Sequence, residues 1–146
     1  MQPVIHLNWL AIVAALASSI VIGFLWYGPI LGNAWMREMS IAPDFKPDAA
    51  LLKRSMALML ISALLTAVVL ACAIELMRPS TWKAGKDAPN AIYGFYVAFF
   101  TWIGFYVPML LGGVAWEGRS WKLFGINAGY HFVTLLAAGM ILAFWR

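Results

Sequence analysis

Four apolar runs, residues 9–31, 55–77, 91–114 and 121–145, decide what this chain can fold into. Each has the roughly 20 residues an α-helix needs to cross a hydrocarbon layer about 30 Å thick. Inside that layer no water satisfies a backbone N–H or C=O, so each run must pair its own backbone as a helix. Composition agrees, because 64% of the 146 residues are hydrophobic and only 11% are charged, too few to give a water-facing surface. The expectation is an all-α membrane protein: a four-transmembrane-helix bundle forming one integral membrane domain over residues 1–146.

The net charge of +4 does not point to nucleic acid, since the basic residues are scattered singly through loops and form no basic face. They bear instead on orientation. With four spans both termini share a side, and the first and third loops hold Arg37, Lys46, Lys53, Arg54, Arg119 and Lys122 against Arg78, Lys83, Lys86 and Arg146 on the other side. Six against four favours termini outside and the first loop in the cytoplasm. Residues 1–8 carry no Lys or Arg, so the first run is expected to stay as a span rather than act as a cleaved signal. Trp9, Trp26, Tyr27, Trp35, Trp116, Trp121 and Trp145 mark span ends as interfacial belts.

Loop residues punctuate the spans. Pro43, Pro47 and Asp48 precede the second span, Asp48 as its N-cap, while Arg78 and Pro79 end it. Asp87 with Pro89 gives a start signal for the third span, and Ser120 can cap the fourth. Residues 34–39 mix apolar and charged groups and are read as a short interfacial helix. Pro29 and Pro108 each remove a backbone donor and are expected to kink the first and third spans. Glu75 and Arg78 form an i, i+3 pair, read as interfacial.

Small residues recur every four positions along two spans: Ala11, Ala15, Ser19 and Gly23 on the first, and Ala63, Ala67 and Ala71 on the second. Gly125 and Gly129 make a Gly-x-x-x-Gly on the fourth. Such grooves let helices approach closely, within one chain or across a homodimer or higher homo-oligomer. An internal echo accompanies them. Gly23-Phe24, Gly32, Ala34 and Trp35 recur as Gly104-Phe105, Gly113, Ala115 and Trp116, 81 residues later. That fits a duplication of a two-span hairpin, or convergence of two interfacial helix ends.

The chain's chemistry concentrates in the fourth span. At about 1.5 Å per residue, His131 lies roughly 15 Å past Trp121, near mid-membrane, where an unpartnered polar group costs several kcal/mol. Ser120, Asn127, His131 and Thr134 fall within a sector of roughly 60° on that helix, opposite Gly125 and Gly129. Such a stripe can line a path or pocket for a small solute or proton, or it can hold a neighbouring helix by hydrogen bonds. Glu117 and Arg119 occupy the tight third loop, as a solvated turn or as a gate. No His/Cys/Asp/Glu cluster has metal-ligand spacing, and haem within one chain would need a second histidine at depth, whereas His6 precedes the first span. No catalytic triad order, phosphate loop or cofactor fingerprint is present, so neither a cofactor nor catalytic residues are expected. Cys72 is the only cysteine and sits within the second span as a packing residue.

Asn8-Trp9, then Trp26-Tyr27-Gly28-Pro29 with Gly32 and Trp35, then Glu117-Gly118-Arg119-Ser120-Trp121-Lys122, then Ile126-Asn127-Ala128-Gly129-Tyr130-His131 form a recurring set. In that combination the chain resembles small bacterial membrane proteins of domain-of-unknown-function family 1761. The resemblance implies a four-span protein of the bacterial inner membrane. It adds Tyr130 to Glu117, Arg119, Asn127 and His131 as residues of interest, and it supplies no substrate. Two roles follow for testing: binding or transport through the stripe, or a structural or accessory subunit in which the stripe only packs helices.

Overall fold

The computed structural model describes Pro3 and residues 5–146. Asn8 starts α1 (Trp9–Leu25) by accepting N–H bonds from Leu10 and Ala11 at 3.0 and 3.2 Å, which satisfies donors that an uncapped helix start leaves open. The helix widens into a π-helical segment, Trp26–Ile30, and loses helical geometry at Gly28 (φ −105°, ψ −106°). Pro29 follows directly. It has no N–H to return to Leu25, and the chain re-enters order through a Leu31 N–H bond to the Trp26 carbonyl at 2.8 Å. A short helix, α2 (Gly32–Glu38), then lies where the interfacial helix is predicted.

Asp48 caps α3 (Ala49–Met77), accepting from Leu51 N–H at 2.7 Å. The helix begins six residues before the apolar run does, because Lys53 and Arg54 lower the local hydropathy without interrupting the helix. After the turn Pro79–Trp82 comes α4 (Asn90–Thr101), a second π-helical segment (Trp102–Tyr106) and α5 (Val107–Glu117), with Pro108 in the first turn of α5. Gly118, at φ 66°, closes α5 in the left-handed region that glycine adopts without strain. Ser120 caps α6 (Trp121–Phe144) through Leu123 N–H at 3.1 Å. Four of the resulting helical stretches, Trp9–Ile30, Ala49–Met77, Asn90–Glu117 and Trp121–Phe144, are long and apolar enough to cross a membrane. The chain is an all-α, multi-pass membrane protein.

α6 is the central helix, with 39% of its span buried against 17–22% for the other three. It packs on α1, α3 and α4. The core lies in the half of the bundle nearest the termini, where Ile12, Leu70, Ile74 and Leu135 are fully buried among Ala11, Ala15, Ala67, Ala71, Ala98 and Ala143. Lipid tails are as apolar as these side chains, so this packing works through close contact rather than escape from water. The closest contact is between α4 and α6. Gly94 and Gly139 meet backbone to backbone, flanked by Ala98 and Ala143, so the tightest groove is this pair rather than Gly125/Gly129. Gly129 takes the edge of the Trp26 ring, while Gly125 is exposed with no neighbouring atoms within 4 Å.

A buried charge network closes the end where the termini lie. Arg78 is 2% exposed and reaches Glu75 at 3.3 Å, Asn90 Oδ1 at 3.0 Å and the Ala143 carbonyl at 2.8 Å, with its guanidinium 4.9 Å from the Tyr93 ring centre. Arg146 adds a second cation, 3.0 Å from the other Glu75 oxygen. The Glu75–Arg78 pair is therefore one edge of a larger assembly that joins α3, α4 and the end of α6. Asp87 belongs to it too, accepting from Ser80 N–H and Oγ–H at 2.9 and 2.7 Å, and lying 3.5 Å from both Arg78 and Arg146. This replaces its predicted capping role: Pro89 holds the cap position of α4 and offers no side-chain acceptor. Burial pushes the Asp87 carboxyl upward, but the Ser80 bonds and Arg78 outweigh it and hold the group below its ordinary value.

The opposite end is open. Residues 49–62 of α3 are exposed on every face, so that half of the helix stands away from the bundle.

Candidate functional site

His131 lies on α6 where the bundle begins to open. Its ring packs 4.4 Å from Tyr106, centre to centre, and 5.0 Å from Tyr130. It borders a cavity of about 300 Å³ between α1, α3, α6 and the second π-helical segment. Polar atoms converge there from four parts of the chain: Ser19 on α1, Ser62 and Thr66 on α3, Tyr106, and Tyr130, His131 and Thr134 on α6. A neighbouring cavity of about 500 Å³ shares Ser62, Thr66, Tyr106 and His131.

The hydrogen-bonding capacity of these groups is only partly used. Ser19 donates to the Ala15 carbonyl at 3.0 Å and Thr134 to the Tyr130 carbonyl at 2.8 Å, so both oxygens keep lone pairs with which to accept. Thr66 and Tyr106 share one bond at 3.4 Å, which leaves one of the two hydroxyl protons free. Among the described residues none hydrogen-bonds to a His131 ring nitrogen. A neutral imidazole carries one donor and one acceptor, and here both remain available.

The predicted stripe does not converge on one place. A helix from Ser120 to Thr134 rises roughly 20 Å, so its neighbours change along the way. Ser120 sits at the helix start, donating to the Glu38 carboxylate while Lys122 lies 3.6 Å from Glu38. The Ser120 bond, followed by Lys122, holds the Glu38 carboxyl below its ordinary value. Asn127 accepts from the Tyr27 hydroxyl at 2.9 Å and borders a separate cavity of about 190 Å³ with Glu117 and Arg119. Those two form an exposed ion pair at 2.6 Å, and the Arg119 stem lies over Gly113. Of the stripe only His131 and Thr134 reach the larger cavity, where Tyr130 joins them. Of the predicted packing residues, Ala11, Ala15 and Gly23 are buried, and a Cβ on Gly23 would lie 3.2 Å from the Tyr130 hydroxyl.

Three contributors were not singled out from the sequence. Ser62 and Thr66 stand one turn apart on α3, a polar pair at depth that spacing alone could have marked. Tyr106 is positioned by the π-helical segment that precedes Pro108. The two π-helical segments have a common plan: Trp26 and Trp102 begin them, and their indole N–H groups donate to the Ile126 and Ala128 carbonyls at 3.0 and 2.8 Å. These carbonyls flank Asn127, so both odd-numbered spans are tied to α6 at one level. The displacement from Trp26 to Trp102 is shorter than the 81 residues of the sequence echo, so the structural repetition is not in its register. Among the described residues no three His, Cys, Asp or Glu side chains are placed to hold a metal ion.

The family model described as "Protein of unknown function (DUF1761)" matches residues 10–143, nearly the full chain. The chain belongs to this family. Every element of the His131 cavity falls inside the matched DUF1761 region. No curated protein and no solved structure matches the chain.

Proposed function

We propose that this DUF1761 protein binds a small molecule in the cavity beside His131, within the bilayer of the bacterial inner membrane and with both termini outside. The observation that carries the reading is the state of His131: an imidazole at membrane depth, free of protein hydrogen bonds, bordering about 300 Å³ of space edged by hydroxyls. A polar group kept only to hold helices together would spend its hydrogen bonds on those helices. Asn127 fits that second role. It takes the Tyr27 hydroxyl and so clasps the end of the first span to α6. The stripe in this reading divides into a clasp at Asn127 and a site at His131, and one copy of the chain supplies the whole site.

The test compares His131→Ala with Tyr27→Phe, using native mass spectrometry of protein released from its own membrane together with thermal unfolding. His131→Ala is expected to keep stability within about 0.5 kcal/mol while losing a co-purifying small-molecule mass. Tyr27→Phe is expected to cost about 1 kcal/mol and keep that mass. A His131→Ala protein that unfolds early or dissociates, with bound mass unchanged, would assign His131 to helix packing and overturn the proposal.

A further inference from the structure

The His131 cavity has company on the exposed side of α3. A third cavity, about 560 Å³, lies between α1 and α3 and is edged by Ile20, Phe24, Tyr27, Met56 and Met59; Met59 also borders the His131 cavity. The three spaces lie along α3 at and just beyond its exposed half, residues 49–62. Their polar atoms cluster beside His131, and the space between α1 and α3 is mainly apolar.

Resting on the binding reading above, we propose that the occupant is an amphiphile drawn from the bilayer, with an uncharged hydrogen-bonding head and one apolar chain, entering sideways past α3. Among the described residues no Asp, Glu, Lys or Arg edges any of the three cavities. A phosphate, carboxylate or ammonium head would sit there without a counter-charge at membrane depth. A hydroxyl head meets both kinds of partner, since Ser19 and Thr134 present lone pairs and the Thr66–Tyr106 pair keeps a proton to give. The chain lies toward Met56 and Met59, whose flexible thioethers fit irregular apolar shapes. The source is the bilayer, because the α3 residues that edge these spaces include Leu58, Met59 and Leu65, large apolar side chains exposed on a helix long and apolar enough to span it. The cavity at Glu117 and Arg119 shares no bordering residue with the His131 cavity.

The experiment uses the full chain in lipid nanodiscs and two photoreactive probes of equal chain length, a fatty alcohol and a fatty acid, each with a diazirine in the chain. The alcohol is expected to label peptides holding Met59–Thr66 and Tyr130–Thr134, and the acid to label them less. Thr66→Val, which keeps shape and loses one hydroxyl, is expected to reduce alcohol labelling about fivefold, as the loss of one hydrogen bond implies. His131→Ala should act in the same direction. Equal labelling by the acid, or labelling indifferent to both substitutions, overturns the proposal, because it reports only lipid around the protein. In a Cys72→Ala background, Ser62→Cys is then offered a water-soluble maleimide. Reaction there without alcohol labelling overturns the lipid source and leaves the binding site standing. Failure of both probes removes both.

Discussion

Gly139→Ala adds a single methyl where the α4–α6 contact has no room for one. Its Cβ would lie 2.7 Å from the Gly94 carbonyl oxygen and 3.3 Å from Ala98 Cβ, and a Cβ on Gly94 would lie 2.8 Å from the Gly139 carbonyl oxygen. The obstacles are helix backbone, which cannot turn aside as a side chain can, so α4 and α6 must separate by roughly half an ångström. Overpacking of that kind costs about 1–3 kcal/mol. Gly125→Ala is the internal control: nothing lies within 4 Å of its Cβ, so the relief of glycine's backbone freedom is expected to leave stability unchanged or raise it by up to about 1 kcal/mol. Combining Gly94→Ala with Gly139→Ala should cost less than the two separate effects together, by about 0.5 kcal/mol or more, since either methyl already forces the helices apart. Unfolding in mixed micelles titrated with denaturing detergent, followed by tryptophan fluorescence, measures the parent and the four variants. Gly139→Ala as stable as the parent, or Gly125→Ala as damaging as Gly139→Ala, would refute the packing argument.

Arg78→Met leaves Glu75 buried beside the more exposed Arg146 alone and is expected to cost about 3–5 kcal/mol in the same titration, whereas Arg146→Met, half exposed, should cost no more than about 1 kcal/mol. Asp87 is held below its ordinary carboxyl value of 3.8, so its contribution is fully present above that value and is lost as pH falls below it; Asp87→Asn should flatten the stability profile on the acid side of 3.8 while the parent loses stability there. Trp26→Phe and Trp102→Phe each delete an indole donor to α6 and are expected to cost about 1 kcal/mol each, read by thermal unfolding in detergent; a loss confined to one of them would break the parallel between the two π-helical segments.

The spans were legible because run length in a membrane is a hard constraint, and their observed ends depart from the apolar runs where charge sits inside a helix. Lys53 and Arg54 hid the first turns of α3 for that reason. The helix grooves were legible only as a class. Gly94 with Ala98, Gly139 with Ala143, and Gly125 with Gly129 all carry small residues four apart, and spacing on one helix does not say which groove a second helix enters. That depends on how α4 crosses α6, which no local pattern encodes. The π-helical segments are similar. Pro29 and Pro108 marked where hydrogen bonding must change, but spacing did not say that the change takes the form of π-helical segments beginning at Trp26 and Trp102.

The site shows the same division more sharply. Periodicity on α6 put Asn127 and His131 on one face, and that face looks toward different neighbours at different depths. At Asn127 the neighbour is Tyr27, just before the departure from α geometry at Gly28, and the carboxamide oxygen is bonded within the protein. One turn deeper the neighbours are Tyr106 and the opening half of α3, and the polar need of His131 is left unmet. Equal spacing on a helix therefore does not imply equal roles. What separates them is whether the facing element brings a partner or a space, and for His131 the facing element is α3 near its exposed half, residues 49–62. If a ligand fills that space, α3 should gain its missing contacts from the ligand, and hydrogen exchange across residues 49–62 should slow when one is bound. Exchange there that ignores ligand, in a protein that demonstrably retains it, would place the ligand elsewhere.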